Sequence, residues 1–229
     1  MGIFLAIAII LVWASHLAYM FSFVEFSFTN VGMYAHILLQ GWLYTGLFIT
    51  GHDAMHGTIT RNKSINNLLG TMATFLFAAM SYKRLRKNHG LHHVAPATEK
   101  DPDFYAKSQN FFLWWGVFMW RYITLWQLIA MAAIYNIFIH VLGLGEVKVI
   151  LYWAVPAILG TMQLFYAGVY WPHKEPHMPH MQPHRARTLK KNHPWAMLSC
   201  YFFGYHWEHH QDQYVPWWQL YKTKTNNHK

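Results

Sequence analysis

The sequence has a single cysteine, Cys200, so it can close no internal disulfide and ligate no iron–sulfur cluster. Charge is scarce: 12% of its 229 residues are Asp, Glu, Lys or Arg, against about 25% in a soluble domain. Only nine residues are acidic, leaving a net charge of +9. No Gly-x-Gly-x-x-Gly follows a plausible strand, which leaves no dinucleotide-binding unit. No internal repeat is evident, and the length suits one domain, 1–229. Lys and Arg are missing altogether from two short stretches, 23–31 and 143–147.

What the sequence has in excess is apolar and aromatic surface, 54% and 18% of residues. Residues 3–22 carry no charge and are long enough to cross a hydrocarbon core, which takes roughly 20 helical residues. No Lys or Arg precedes them, and the apolar run continues past any small-residue cleavage site, which argues against a cleaved signal peptide. Residues 32–51, 122–142 and 149–171 read as further spans. Arg61, Lys63, Lys83, Arg84, Arg86 and Lys87 belong on the cytoplasmic side by the positive-inside rule. The stretch 65–82 starts and ends on that side, so it reads as an interfacial or re-entrant helix, and 111–120 as an interfacial one. The expected fold is an all-α integral membrane protein with four transmembrane helices plus interfacial helices and both termini cytoplasmic. The basic residues border the apolar runs, so the bilayer surface, not nucleic acid, is their expected partner.

Seventeen histidines are the other excess, and they cluster. His52 and His56 are four apart, on one helix face. His89, His92 and His93 form an HxxHH box, and His206, His209 and His210 form another. An i, i+3 pair also shares a face, and the spacing predicts that the adjacent His of each HxxHH box turns toward a second ion. Burying eight imidazoles without partners would be costly, and a metal centre satisfies them together. Zinc sites use three or four protein ligands, so eight imply two ions; imidazole suits Zn, Cu, Fe and Ni. His52-Asp53-x-x-His56 is similar to a zinc-protease helix, but that scheme leaves the other boxes idle. A metal transporter would place its polar groups at the bilayer midplane, whereas these boxes lie at span ends. Carboxylates beside the boxes, Asp53, Asp101, Asp103, Glu208 and Asp212, are candidates to balance the ions' charge and orient the imidazoles.

Four flanking motifs sharpen the pattern. They are HDAMHG at 52–57, NHGLHH at 88–93 with Asp101-Pro102-Asp103-Phe104, Pro172-His173 with Gln182-Pro183-His184 and Thr188, and CYFFGYHWEHH at 200–210 with PWWQL at 216–220. Together they resemble the short bacterial and cyanobacterial β-carotene ketolases of the membrane-bound desaturase and hydroxylase superfamily, over about residues 45–222. The resemblance implies a cytoplasmic di-iron site in a bacterial inner membrane, with the eight box histidines as ligands and His173 as a ninth. It implies O2 as co-substrate, electrons from an external donor such as a ferredoxin, and a carotenoid oxidised at C4 and C4′ of its β-ionone rings. Asp53, Asp101, Asp103 and Glu208 would support the centre. A carotenoid 3-hydroxylase or a fatty-acyl desaturase of the same superfamily is the neighbouring reading. The run His177-Met178-Pro179-His180-Met181 and Tyr221, where the family usually has Pro, depart from the pattern.

Overall fold

Residues 1–224 are described by a computed structural model; they form helices and turns, with no strand among them. The C-terminal 225–229, whose cytoplasmic placement the sequence predicts, lie outside the described residues. The first helix, α1, is Gly2–Phe23, and α2 is Val31–His56. Two shorter helices follow, α3 at Lys63–Ala78 and α4 at Tyr82–Val94. After a loop come α5, Phe111–Tyr122, and α6, Leu125–Asn136, which runs on as a π turn over Ile137–Val141. The long α7 spans Glu146–His173, and the short α8, His193–Cys200, and α9, His206–Gln211, follow, with a 3-10 helix over Trp217–Lys222 after them.

Local chemistry sets these boundaries. Asn30, Asn62, Ser81, Asn110, Thr124 and Asn192 each stand one residue before a helix, and each side chain accepts from a free amide of the first turn. Gly57, at φ 73°, ends α2 in the left-handed conformation just after His56.

Helix α2 is the hub, packed against α1, α3 and α7. It approaches α7 closely because Gly41 and Gly160 face each other at the crossing: a Cβ on Gly160 would press on Tyr44 and on the Gly41 carbonyl. Trp13, Leu17, Tyr44, Leu47, Tyr152 and Trp153 fill the core among α1, α2 and α7.

Among the described residues two helices, α1 and α7, are long and apolar enough to cross a membrane. The pair α5 and α6 makes a third candidate if it counts as one broken span, and its axis bends by 92° at the break. The break at 123–124 falls close to the boundary that the sequence predicts between the pieces 111–120 and 122–142. Helix α2 covers the predicted span 32–51, but His36, Gln40, Thr45 and Thr50 lower its apolarity, and Gln40, Thr45 and Thr50 are buried. As the centre of the bundle it faces protein on most sides, so its composition follows packing more than lipid.

Candidate metal centre

Four elements converge at one end of the bundle. The last turn of α2 brings His52 and His56; α4 brings His89, His92 and His93; the end of α7 brings His173; and α9 brings His206, His209 and His210. Their ring nitrogens fall into two groups, each with all its atoms within 4.8 Å of one another: His52, His56, His89, His93 and His209, and His92, His173, His206 and His210. All nine histidines singled out from sequence are therefore brought together. The partition within the boxes differs from expectation. The i, i+4 pairs His89/His93 and His206/His210 stay together, while the i+3 residues His92 and His209 cross to the other group. Four residues turn a helix by about 400°, within 40° of a full revolution, whereas three leave it 60° short.

The spacing suits ions. The Nε2 atom of His89 lies 2.7 Å from that of His56 and 3.0 Å from that of His93, which lies 3.0 Å from that of His209. In the other group the Nε2 atom of His210 lies 3.2 Å from that of His92 and 3.1 Å from that of His206. Nitrogens about 2.1 Å from a shared ion and at right angles to it stand about 3.0 Å apart. Further, Nε2 of His52 and of His173 are buried with no hydrogen-bond partner, although a buried imidazole nitrogen costs free energy when left unsatisfied. The residues present fit two ions.

Neighbouring groups fix which nitrogen each ring turns inward. His92 donates from Nδ1 to Asp101 Oδ2 at 2.9 Å, and His173 from Nδ1 to the Arg185 carbonyl at 3.1 Å. Each leaves an Nε2 lone pair facing the cluster. Asp101 is held by the amides of Ala97 and Asp103, both at 2.8 Å. Asp103 takes a short hydrogen bond from the Tyr122 hydroxyl and sits 3.9 Å from His92 Nδ1. Asp53 accepts instead from the Trp217 amide at 3.2 Å, and its carboxylate is 3.8 Å from His52 Nδ1, beyond a hydrogen bond. Glu208 turns to Lys224, 2.9 Å away, and to the Thr188 hydroxyl at 2.5 Å, and it is in neither ring cluster. Asp212 is exposed at the end of α9. Burial, compounded by neighbouring imidazoles, holds His89, His206, His209 and His210 well below the usual range and His93 down to about 2. These five are neutral, the state in which imidazole binds a metal. Burial also depresses His92, but the Asp101 carboxylate, by charge and hydrogen bond, and then Asp103 outweigh it and raise its affinity for a proton. Burial pushes Asp103 up to about 6.

Of the remaining histidines, His177 donates to the His173 carbonyl at 2.8 Å, and His184 donates to Gln211 at 3.1 Å with its ring stacked beside that of His210. His193 meets the Tyr205 hydroxyl, and His16 and His36 pair with each other between α1 and α2. Sequence reasoning missed Tyr122 and Lys224, which sit at the end of an apolar helix and in a basic tail with no motif to mark them.

A partly open cavity reaches the cluster, with about 810 Å³ of empty space when its opening to the outside is counted in. His52 and His89 of one group and His92 and His206 of the other border it. Its remaining wall is mainly apolar, with Phe48, Phe77, Phe118, Leu164 and Phe165 prominent. Such a site takes an apolar molecule and presents it to both groups of imidazoles at once.

Fold and site define a class: an all-helical chain with long apolar helices and a histidine cluster suited to metal ions at one end of the bundle. The chain belongs to the fatty acid desaturase family, whose model matches residues 29–126 and 118–228. It is 39% identical over 193 residues to the "Beta-carotene 4-ketolase 3" of Haematococcus lacustris, covering 81% of this chain and 60% of that one. It is 36% identical over 236 residues to the "Zeaxanthin 4-ketolase" of Chlamydomonas reinhardtii, covering 97% and 53%. It is 35% identical over 185 residues to the "Beta-carotene ketolase" of Paracoccus sp. (strain PC1), covering 80% and 75%. The chain thus spans little more than half the length of these two algal relatives. No solved structure matches it.

Proposed function

We propose that this chain is a membrane-bound β-carotene ketolase, an O2-dependent oxygenase with two iron ions held by His52, His56, His89, His93 and His209 and by His92, His173, His206 and His210. The observation that carries the reading is the meeting of both imidazole groups with one mainly apolar cavity. The names of the relatives supply the substrate class. Bound iron would supply the oxidising power that takes a hydrogen from a ring carbon. The chain's own residues do the rest. The apolar wall excludes water and seats a β-ionone ring with C4 toward the imidazoles, and holding one C–H there selects the carbon. Asp101 keeps His92 in one tautomer, and the Arg185 carbonyl does the same for His173. C4 is allylic, so its C–H bonds are weaker than those of an ordinary methylene. A first oxygenation gives the 4-hydroxyl, and a second at the same carbon gives a gem-diol that loses water to the ketone. Each oxygenation uses one O2, two electrons and two protons and releases one water.

An external carrier of the ferredoxin type supplies the electrons; what supports this is a sequence with no Gly-x-Gly-x-x-Gly after a plausible strand and a single cysteine. We place the centre on the cytoplasmic side of a bacterial inner membrane as a single domain, with α1, α2, α6 and α7 as the four spans. The support is the absence of Lys and Arg from 23–31 and 143–147. Expressing the chain in β-carotene-producing cells and resolving the pigments tests the reading: a mono-ketone appears first and a di-ketone follows, both absorbing at longer wavelength. Accumulation of hydroxylated, unshifted pigment alone would establish a 3-hydroxylase instead.

A further inference from the structure

The cavity wall holds few polar groups away from the imidazoles, and most are occupied. Asp103 and Tyr122 bond to each other, and the Thr161 hydroxyl donates to the Ile158 carbonyl at 2.7 Å. Gln127, in the first turn of α6, differs. It lines the cavity, is 7% exposed, and donates from Nε2 to the Ala78 carbonyl at 2.8 Å. That bond fixes the orientation of the amide, because its oxygen could not face a carbonyl. Its Oε1 is then left buried with no hydrogen-bond partner. An amide oxygen stripped of water and unpaired is costly, and a native site that keeps one has a use for it. In this cavity the use is narrow. The atom can only accept, so its partner carries an O–H or N–H. The phenyl and leucyl surroundings of Phe48, Phe77 and Leu164 offer nothing to a charged donor. A neutral hydroxyl on an otherwise apolar molecule satisfies both conditions.

We propose that Gln127 Oε1 is the acceptor for a hydroxyl that the substrate ring already carries on entry, so that Gln127 sets how well this site handles hydroxylated rings relative to plain hydrocarbon ones. This inference rests on the ketolase reading. What it adds is the residue that recognises a ring alcohol. A site that pairs a substrate hydroxyl loses more when its own group is removed than it gains from the apolar contacts that replace it.

The test compares membranes from cells expressing the full chain as wild type, Gln127→Leu, Gln127→Met and Gln127→Glu. Each is given β-carotene or its 3,3′-dihydroxy derivative, and initial rates of ketone formation are expressed as a ratio of the two substrates. Using the ratio within one preparation cancels differences in the amount of folded protein. We expect the hydroxylated-to-plain ratio to fall about ten-fold in Gln127→Leu and Gln127→Met, the size of one lost hydrogen bond to a buried acceptor. Gln127→Glu should hold the ratio near the wild-type value, since a buried neutral carboxylic acid donates to Ala78 and still presents an acceptor oxygen. A ratio unchanged in both Gln127→Leu and Gln127→Met would overturn the inference. So would a build-up of 4-hydroxy product from β-carotene with the ratio unchanged, which would make Gln127 the holder of the intermediate. Ketone from neither substrate in the wild type would overturn the ketolase reading and this inference with it, whereas ketone formation indifferent to Gln127 overturns this inference alone.

Discussion

Removing the Asp101 carboxylate tests whether the two imidazole groups are separate ion sites. Asp101 is 3% exposed and accepts three hydrogen bonds: from His92 Nδ1 at 2.9 Å and from the amides of Ala97 and Asp103 at 2.8 Å. Asp101→Ala strands three buried donors. At about 1–3 kcal/mol for each, with entering water relieving part of the cost, the fold should lose about 3 kcal/mol or more. Asp101→Asn is the sharper variant because it keeps the shape. Its amide must turn an N–H toward at least one of the three donors, and it no longer balances charge beside His92. Only His92, in the group with His173, His206 and His210, is tied to Asp101. Loss of a carboxylate behind a ligand imidazole typically weakens an ion ten- to a hundred-fold. In detergent, titration with a graded chelator should therefore show Asp101→Asn dropping from two irons per chain to one at a chelator strength that leaves wild type full. The iron that remains is the one among His52, His56, His89, His93 and His209. Loss of both irons together in Asp101→Asn, or retention of both with wild-type affinity, would refute the separation of the two sites.

Three further outcomes follow from the same geometry. His173→Ala should hold about one iron per chain and His177→Ala two, as read by elemental analysis; two irons in His173→Ala would remove it from the ligand set. Iron retention and stability should fall together on acidification, as followed by iron release and Trp fluorescence from pH 7.5 to 5. His89, His93, His206, His209 and His210 have folded values depressed below the unfolded 6.5, so the unfolded chain binds more protons below that pH. Each depressed imidazole then removes about 1.4 kcal/mol per pH unit, while His92 and Asp103, both raised in the fold, contribute in the opposite direction but are two against five; full retention at pH 5 would contradict this. Finally, Glu208→Ala leaves the buried Lys224 ammonium without its carboxylate and should cost about 3–5 kcal/mol, yet the chains that fold should still carry two irons. An iron deficit at unchanged stability would give Glu208 a direct role at the ions.

The sequence made the helices and the histidines readable for different reasons. Runs such as 3–22 and 149–171 read as apolar helices and are helices in the fold, whereas the caps Asn30, Asn62 and Asn110 emerge only from the structure. The boxes were legible because imidazoles at i, i+3 and i+4 are costly in any role except shared coordination. The roles of the carboxylates were not legible. Asp101 and Glu208 each stand near a box, but only a fold brings Asp101 across to His92 and Lys224 back to Glu208. Proximity in sequence gave both the same expectation, and three-dimensional partners separate them. Gln127 was invisible for a related reason: one amide in an apolar run reads as a tolerated polar residue until its free oxygen is seen lining a cavity.

The phasing of the boxes also explains why two HxxHH motifs serve one centre. In α4 the i, i+4 pair, His89 and His93, belongs to the five-membered group and His92 to the other. In α9 the assignment is reversed: His206 and His210 belong to the four-membered group and His209 crosses over. Each helix thus gives two imidazoles to one group and one to the other, and the two helices offset each other. His52 and His56 from α2 complete the first group, and His173 from α7 the second. Neither α4 nor α9 can shift by a residue without taking imidazoles from both groups at once. That coupling ties the separation of the two groups to the relative placement of α4 and α9. Their joint border on the cavity depends on it too, because His89 and His92 reach the wall from α4 and His206 from α9, while His52 reaches it from α2. The repeated HxxHH spacing of this chain, in this fold, locks two groups of imidazoles to one cavity wall.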